Sequence, residues 1–137
     1  MSPRILVLAL AAATFVTSAC QNTKPRTGFP LADSWHDIME DVIDPRFTRM
    51  VDATEQKADA IDFERLAVDA ETCAEHIALG YGVHDKSNVD GFAVWSHEAE
   101  QWFREIAAAA RNRDLATFTT LVIDGERLHC DRCHDAT

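Results

Sequence analysis

Helical periodicity is the feature of this 137-residue chain that most restricts its fold. Apolar residues recur at three- and four-residue spacing in four segments, and no segment shows the alternation typical of a β-strand. The segments cover approximately residues 34–54, 59–80, 93–112 and 114 onward. Amphipathic helices joined by short links bury their apolar stripes against one another. We therefore predict an all-α protein with the architecture of an antiparallel four-helix bundle.

The first helical segment carries a start signal and an interruption. Ser34 followed by Asp37 is similar to a capping box. Pro45 lies inside the segment, and because proline lacks an N–H group it predicts a kink or local unwinding. The apolar stripe of this segment comprises Trp35, Met39, Val42, Ile43, Phe47 and Met50.

The other three segments have stripes of the same kind. In the second, Gly80 and Gly82 are expected to end the helix, and residues 84–91 to form a loop. The second stripe comprises Phe63, Leu66, Ala67, Ala70, Cys73, Ala74, Ile77 and Tyr81. The third comprises Trp95, Ala99, Trp102, Ile106 and Ala109, and the fourth Leu115, Phe118, Leu121, Val122, Gly125 and Leu128.

The N-terminal residues are typical of an export signal rather than of the fold. Arg4 precedes an apolar run over residues 5–16, which is too short to span a bilayer comfortably but suits the apolar region of a signal peptide. We predict that residues 1–19 are an export signal. The expected location is the periplasm.

Two interpretations of the cleavage site are open. Residues 16–20 (VTSAC) resemble a lipoprotein box, in which Cys20 is lipidated and becomes the mature N-terminus. Ordinary cleavage after Ala19 is the alternative, because small residues also occupy the required positions. Residues 20–32 are polar and contain two prolines, so they form a predicted tether, which favours lipidation. The protein would then contact the membrane only through this lipid anchor. The predicted four-helix-bundle domain covers residues 33–137.

The charge of the chain excludes one class of partner. The formal net charge is −10, with 23 acidic and 13 basic side chains. Such a surface repels phosphate backbones, so nucleic-acid binding is not expected.

The motif that carries chemistry is C-x-x-C-H over residues 130–134. On a helix, Cys130, Cys133 and His134 stand at i, i+3 and i+4 and project from one face. Two thiols can then add to the two vinyl groups of a porphyrin, while the histidine reaches the iron from the proximal side. The motif therefore predicts one covalent haem c, attached through Cys130 and Cys133 and ligated by His134.

The two cysteines have three other interpretations. A thioredoxin-like oxidoreductase requires a βαβ context, which the sequence does not show. A zinc site requires further ligands, which Cys73 and a histidine supply only at a spacing foreign to zinc fingers. A structural disulfide between Cys130 and Cys133 is compatible with an oxidising compartment.

A four-helix bundle with this motif on its last helix resembles the cytochrome c prime family and its methionine-ligated, six-coordinate relatives. The resemblance covers residues 33–134, and its most specific parts are the motif and the stretch 35–39 (WHDIM). The run from Ile38 to Pro45 is also similar to that of a subgroup of small exported bundle cytochromes. The resemblance implies that the first helix supplies the residue on the distal side of the haem, which matches Met39. It also implies that the protein could pair as a homodimer.

Several residues have alternative roles. Met39 could be a core methionine instead of an iron ligand, and His36 could ligate in its place. Met50 is expected to pack in the core. Arg132, Arg46 and Arg49 are candidates for neutralising haem propionates.

The remaining histidines and cysteine have simpler expected roles. His129 precedes the motif and is placed to touch a haem edge, and Cys73 is expected to be a buried, inert thiol. Trp95 and Trp102 are expected to line the bundle near the porphyrin. Hydrogen-bonded or solvated side chains are expected for His76, His84 and His97.

These residues predict a one-electron carrier rather than an enzyme. Ligation by His134 and Met39 would leave the iron without an open position, and a thioether ligand raises its potential. Redox partner proteins should then present a basic docking surface to this acidic chain. The alternative is a five-coordinate haemoprotein in which Met39 does not ligate and the distal site binds a diatomic gas, nitric oxide or carbon monoxide.

Overall fold

The computed structural model describes residues 28, 30–84 and 89–131, and all regular secondary structure in these ranges is helical. The predicted all-α class is confirmed, and the described residues form four helices compatible with a helical bundle. Helix α1 is continuous but consists of an α-helical turn Trp35–Asp37, a π-helical segment Ile38–Ile43 and an α-helix Asp44–Thr54. Helix α2 is Phe63–Val83, α3 is Phe92–Arg111, and α4 is an α-helix Leu115–Gly125 that continues as a π-helical segment Glu126–Cys130.

The contacts between helices show their relative directions. Near one end of the bundle, Phe63 of α2 lies beside Ala110 of α3, and near the other Ile77 lies beside Ala93. Between them Glu71 accepts hydrogen bonds from Arg104 at 2.7 Å and from Arg111 at 2.9 Å. Helices α2 and α3 are therefore antiparallel. Among the described helices, none has the length and apolar character that crossing a membrane requires.

The core contains most of the apolar residues that the sequence stripes predicted. Ile38, Met50, Phe103, Ile106, Phe118 and Val122 are almost completely buried. Three predicted stripe residues are exposed instead, since Met39 is 37%, Tyr81 49% and Leu128 46% accessible. Tyr81 and Leu128 lie near the end of a helix, where the neighbouring helices no longer cover the stripe.

The start and interruption of α1 follow the sequence signals. The Ser34 hydroxyl accepts a hydrogen bond from the Asp37 N–H at 3.1 Å and donates one to the Asp37 carboxylate at 2.8 Å. The predicted interruption takes the form of the π-helical segment directly before Pro45. The Arg46 guanidinium donates to the carbonyl oxygen of Val42 at 2.9 Å. It also donates at 3.4 Å to that of Asp41, which a residue other than proline at position 45 would bond in an α-helix.

The predicted limits of the second helix were wrong at both ends. The helix begins at Phe63, because the Asp62 carboxylate caps it by accepting from the Arg65 N–H at 3.0 Å. Gly80 and Gly82 do not end it, and it continues to Val83. At Gly80 the absent side chain makes room for α1, since an added Cβ would lie 2.5 Å from the Ile38 Cδ1 atom.

Two histidines of the bundle hold the last residues of the predicted tether. The Nε2 atom of His76 lies 2.8 Å from the Pro30 carbonyl oxygen, and that of His84 lies 3.0 Å from the Ala32 carbonyl oxygen. The Trp35 indole donates to the carbonyl oxygen of His84 at 3.1 Å. The chain is therefore fixed against α2 before α1 begins, and the expectation that these histidines are hydrogen-bonded is confirmed.

A tight contact joins α3 to α4. The Trp102 indole donates to the Leu121 carbonyl oxygen at 2.8 Å and lies flat against the backbone of Gly125. A Cβ added to Gly125 would overlap the Nε1, Cε2 and Cζ2 atoms of the indole. Only glycine permits this approach, because a rigid buried ring cannot move aside easily.

The substitution Gly125→Ala should therefore destabilise the protein. Overpacking against the indole should lower the free energy of unfolding by about 1–3 kcal/mol. The higher helix propensity of alanine, about 1 kcal/mol over glycine, offsets part of this loss. Gly82→Ala is the matched control, because Gly82 is exposed and an added Cβ would have no neighbour within 4 Å. The control should be neutral or stabilising in denaturant unfolding followed by circular dichroism. Equal effects of the two substitutions would contradict this account of the Trp102 contact.

Candidate functional site

A cavity of about 450 Å³ lies between α1, α3 and the C-terminal part of α4. Its volume falls within the range of about 300–1,000 Å³ found for ligand and cofactor sites. Aromatic rings form much of its wall, contributed by Trp35, Phe47, Phe92, Trp95, Trp102 and Phe103. The cavity is therefore suited to a large, flat apolar group.

Two predicted site residues that are distant in the sequence both line this cavity. Met39 reaches it from α1 and Cys130 from the end of α4. His129 lines it as well, next to the cysteine. Cys133 and His134 lie outside the described residues, as do Cys20 and Arg132.

The π-helical segment of α1 accounts for the position of Met39. Trp35, Met39, Ile43 and Phe47 line the cavity at a constant spacing of four residues. A π-helix has a wider turn than an α-helix, so side chains four residues apart stay close to one line. Ile38 lies on the neighbouring line and packs on α2 at Gly80 instead. Met39 is 37% exposed, whereas Met50 is fully buried, and the choice between iron ligand and packing residue for Met39 stays a prediction.

The π-helical segment of α4 forms the opposite wall. Glu126, His129 and Cys130 all line the cavity from this segment. The imidazole ring of His129 stacks on the Trp102 indole, with ring centroids 5.0 Å apart and an angle of 19° between the planes. Because Trp102 is itself held at Leu121, the start of the C-x-x-C-H motif is held against α3.

Some predicted candidates do not take part in the cavity. His36 is exposed and lies 3.3 Å from the Glu40 carboxylate, and Met50 is fully buried in the core. Arg46 and Arg49 do not line the cavity either. The candidate role of these two arginines in neutralising propionates therefore gains no support from the cavity lining and stays a prediction.

Both arginines form ion pairs with a buried carboxylate of α2, that of Asp69. Arg49 binds Asp69 with two hydrogen bonds of 2.9 and 3.0 Å, and this bonding raises the pKa of the guanidinium. The Nε atom of Arg46 lies 3.8 Å and that of Arg65 3.5 Å from the same carboxylate. The cluster ties α1 to α2, because breaking a buried ion pair would leave charge uncompensated.

Sequence reasoning missed the carboxylates of the cavity. Glu40, Asp44 and Glu126 all line it. Glu40 and Asp44 form a second row with a spacing of four residues, one position after Met39 and Ile43. That spacing was visible in the sequence, but its relation to the cavity depends on the π-helical turn. Glu126 had no comparable signal.

Cys73 is buried, as predicted. Cys73 is a free thiol that is fully buried in α2 and does not line the cavity. Burial raises its pKa well above the ordinary value, since the thiolate would be desolvated. In the described ranges, no three His, Cys, Asp or Glu side chains could hold a metal ion, so a zinc site built on Cys73 gains no support there.

No protein-family model, curated protein or solved structure matches this chain.

Cys73 should resist alkylation in the native protein. Its folded pKa is raised, so the folded state keeps the proton at alkaline pH where the unfolded thiol loses it. The stabilisation is complete below the unfolded pKa of about 8.5 and declines above it by about 1.4 kcal/mol per pH unit. Iodoacetamide at pH 8, followed by peptide mass spectrometry, should modify Cys73 only after unfolding. Cys73→Ala should weaken the alkaline loss of stability, and rapid native alkylation of Cys73 would refute its burial.

Proposed function

We propose that this chain is an exported monohaem c-type cytochrome, similar to the cytochrome c prime family, that carries single electrons. The observation that carries the proposal is the shared cavity of Met39 and Cys130. The C-x-x-C-H motif predicts Cys130 as the first attachment cysteine, and the family resemblance, which includes that motif, implies Met39 as the distal iron ligand. Cys133 and His134 follow Cys130 within four positions of the sequence.

The residues of the cavity fit a haem c in size and chemistry. Haem is a flat apolar macrocycle, and the six aromatic rings provide a matching wall. Cys130 offers a thiol for thioether formation, and the sulfur of Met39 is a soft ligand suited to ferrous iron. Within the cavity lining, these two sulfur side chains come from different helices, α4 and α1.

Each group of residues would then have a distinct role. The bound haem would supply a one-electron couple at its iron. Cys130 and Cys133 would hold it covalently, with His134 as the proximal and Met39 as the distal ligand. The aromatic wall would exclude water, which stabilises the less charged reduced state and raises the potential. Two side-chain ligands leave no open iron position, so the arrangement favours electron transfer over gas binding.

The first test concerns covalent attachment. Cys130→Ser should leave one thioether missing and reduce the accumulation of holoprotein when the chain is produced with a c-type cytochrome maturation system. Cys73→Ala is the matched control, because that thiol is buried away from the cavity. Pyridine haemochrome spectra and haem staining of denaturing gels measure the outcome. A wild-type chain that matures without covalent haem would refute the proposal.

The second test concerns the distal ligand. Met39→Ala should convert the ferric iron from low to high spin and lower the midpoint potential, because the soft thioether is lost. Carbon monoxide should bind the reduced variant at least about tenfold more tightly, the equivalent of about 1.4 kcal/mol. Optical and electron paramagnetic resonance spectra, with carbon monoxide titration, measure these changes.

Met50→Leu is the control for this second test. Met50 lies about 16 Å further along the helix at the usual rise, and it is buried in the core outside the cavity. Its replacement should leave spin state and carbon monoxide binding unchanged. If the wild-type protein is already high spin in the ferric state and binds carbon monoxide freely in the ferrous state, Met39 is not a ligand, and the gas-binding function replaces the carrier.

A further inference from the structure

One buried indole ring contacts α4 at three positions that are four residues apart. The Nε1–H group of Trp102 donates to the Leu121 carbonyl oxygen at 2.8 Å, and the ring lies against the backbone of Gly125. The face of the same ring stacks on the imidazole of His129. Trp102 is 4% exposed, so it is a fixed part of the core. The indole therefore follows α4 for about two turns, and its last contact is with the residue directly before Cys130.

The last of these contacts lies in the π-helical segment Glu126–Cys130. The N–H group of Asp131 closes this segment by donating to the Glu126 carbonyl oxygen. A π-helical turn contains more residues than an α-helical turn and is found mostly at functional sites. Relaxation to an α-helix would rotate the side chains at the end of the segment by as much as about 100°, the angle between successive residues. The direction of the Cys130 thiol therefore depends on whether the π-helical turn is kept.

The stack between His129 and Trp102 is a side-chain contact that can hold this turn. The ring centroids lie 5.0 Å apart with 19° between the planes, an offset parallel geometry that aromatic rings favour. His129 is only half-buried, so the contact adds little to the core itself. The indole also lies 5.5 Å from the Phe47 ring of α1, measured between centroids, and Phe47 lines the cavity in the same row as Met39. The ring that supports His129 thus contacts both helices that supply sulfur side chains to the cavity.

We propose that His129 is a positioning residue that, stacked on Trp102, directs the Cys130 thiol into the cavity for covalent attachment of haem. This inference rests on the proposed function. In the attachment step, the S–H group of Cys130 adds across a vinyl C=C bond. An S–C bond forms at one carbon, the hydrogen is transferred to the other, and no oxidant or reductant is consumed. His129 acts on this step through the direction of Cys130 and not through contact with the reacting atoms.

The experiment compares substitutions in this segment of the full-length chain, produced with a c-type cytochrome maturation system. His129→Ala removes the stacked ring, and His129→Phe replaces it with another flat ring that can stack on Trp102. Leu128→Ala is the control, because Leu128 lies in the same segment, is 46% exposed and does not line the cavity. Peptide mass spectrometry measures the ratio of haem peptides with one thioether to those with two. Pyridine haemochrome spectra detect the same change, because an unreacted vinyl group shifts the absorption band to longer wavelength.

Two further measurements on the same samples separate positioning from general stability. Denaturant unfolding gives the free energy of unfolding of each variant. Amide hydrogen exchange reports how well residues 126–130 keep their backbone hydrogen bonds. A positioning role predicts that His129→Ala accelerates exchange in this segment, whereas a change in global stability alone would alter exchange in the core helices as well.

In His129→Ala, the ratio of one-thioether to two-thioether peptides should rise about two- to tenfold, the change that loss of one aromatic pair implies. His129→Phe should restore the wild-type ratio, and Leu128→Ala should leave it unchanged. If His129→Ala keeps the wild-type ratio, or if His129→Phe does not restore it, the positioning role is refuted while the proposed function stands. An equal rise in Leu128→Ala assigns the effect to stability and also refutes positioning. Absence of covalent haem from the wild-type chain refutes the proposed function and this inference together.

Discussion

The π-helical segment of α1, which ends two residues before Pro45, is the constraint on which the cavity depends. An α-helical first helix would rotate successive side chains by about 100°, so residues four apart would drift around the axis. The π-helical segment before the proline keeps Met39 and Ile43 in line with each other and with the cavity. The same turn leaves Ile38 facing α2, where Gly80 gives it room. One irregularity thus lets a single helix contribute to both the core and the cavity.

The opposite wall depends on a second close contact. Trp102 reaches the backbone of α4 because Gly125 has no side chain. The imidazole ring of His129 stacks on the same indole ring. The residues from Glu126 to Cys130 are again π-helical, so both walls of the cavity are formed where α-helical geometry is interrupted. Such interruptions recur at functional sites because they redirect side chains that a regular helix would place elsewhere.

The charged side chains around α1 are divided between the interface with α2 and the solvent. The arginines of α1 neutralise a buried carboxylate at the interface with α2, where an isolated charge would be costly. The carboxylates beside Met39 are exposed to water, so they keep their hydration and pay no desolvation penalty. The first helix therefore carries its exposed carboxylates on the solvent side and its ion pairs with Asp69 on the side of α2.

The helices and most of the core could be predicted from the sequence, because helical spacing, the Ser34 cap and Pro45 act through local geometry. The candidate roles of Cys130 and Met39 were likewise predictable, from a motif and from a family resemblance. The carboxylates of the cavity lining, the continuation of α2 through Gly80 and the bonding of Arg49 to Asp69 could not be predicted. Each depends on which side chain another helix brings near, and such contacts between distant segments follow from packing of the whole bundle rather than from any local pattern.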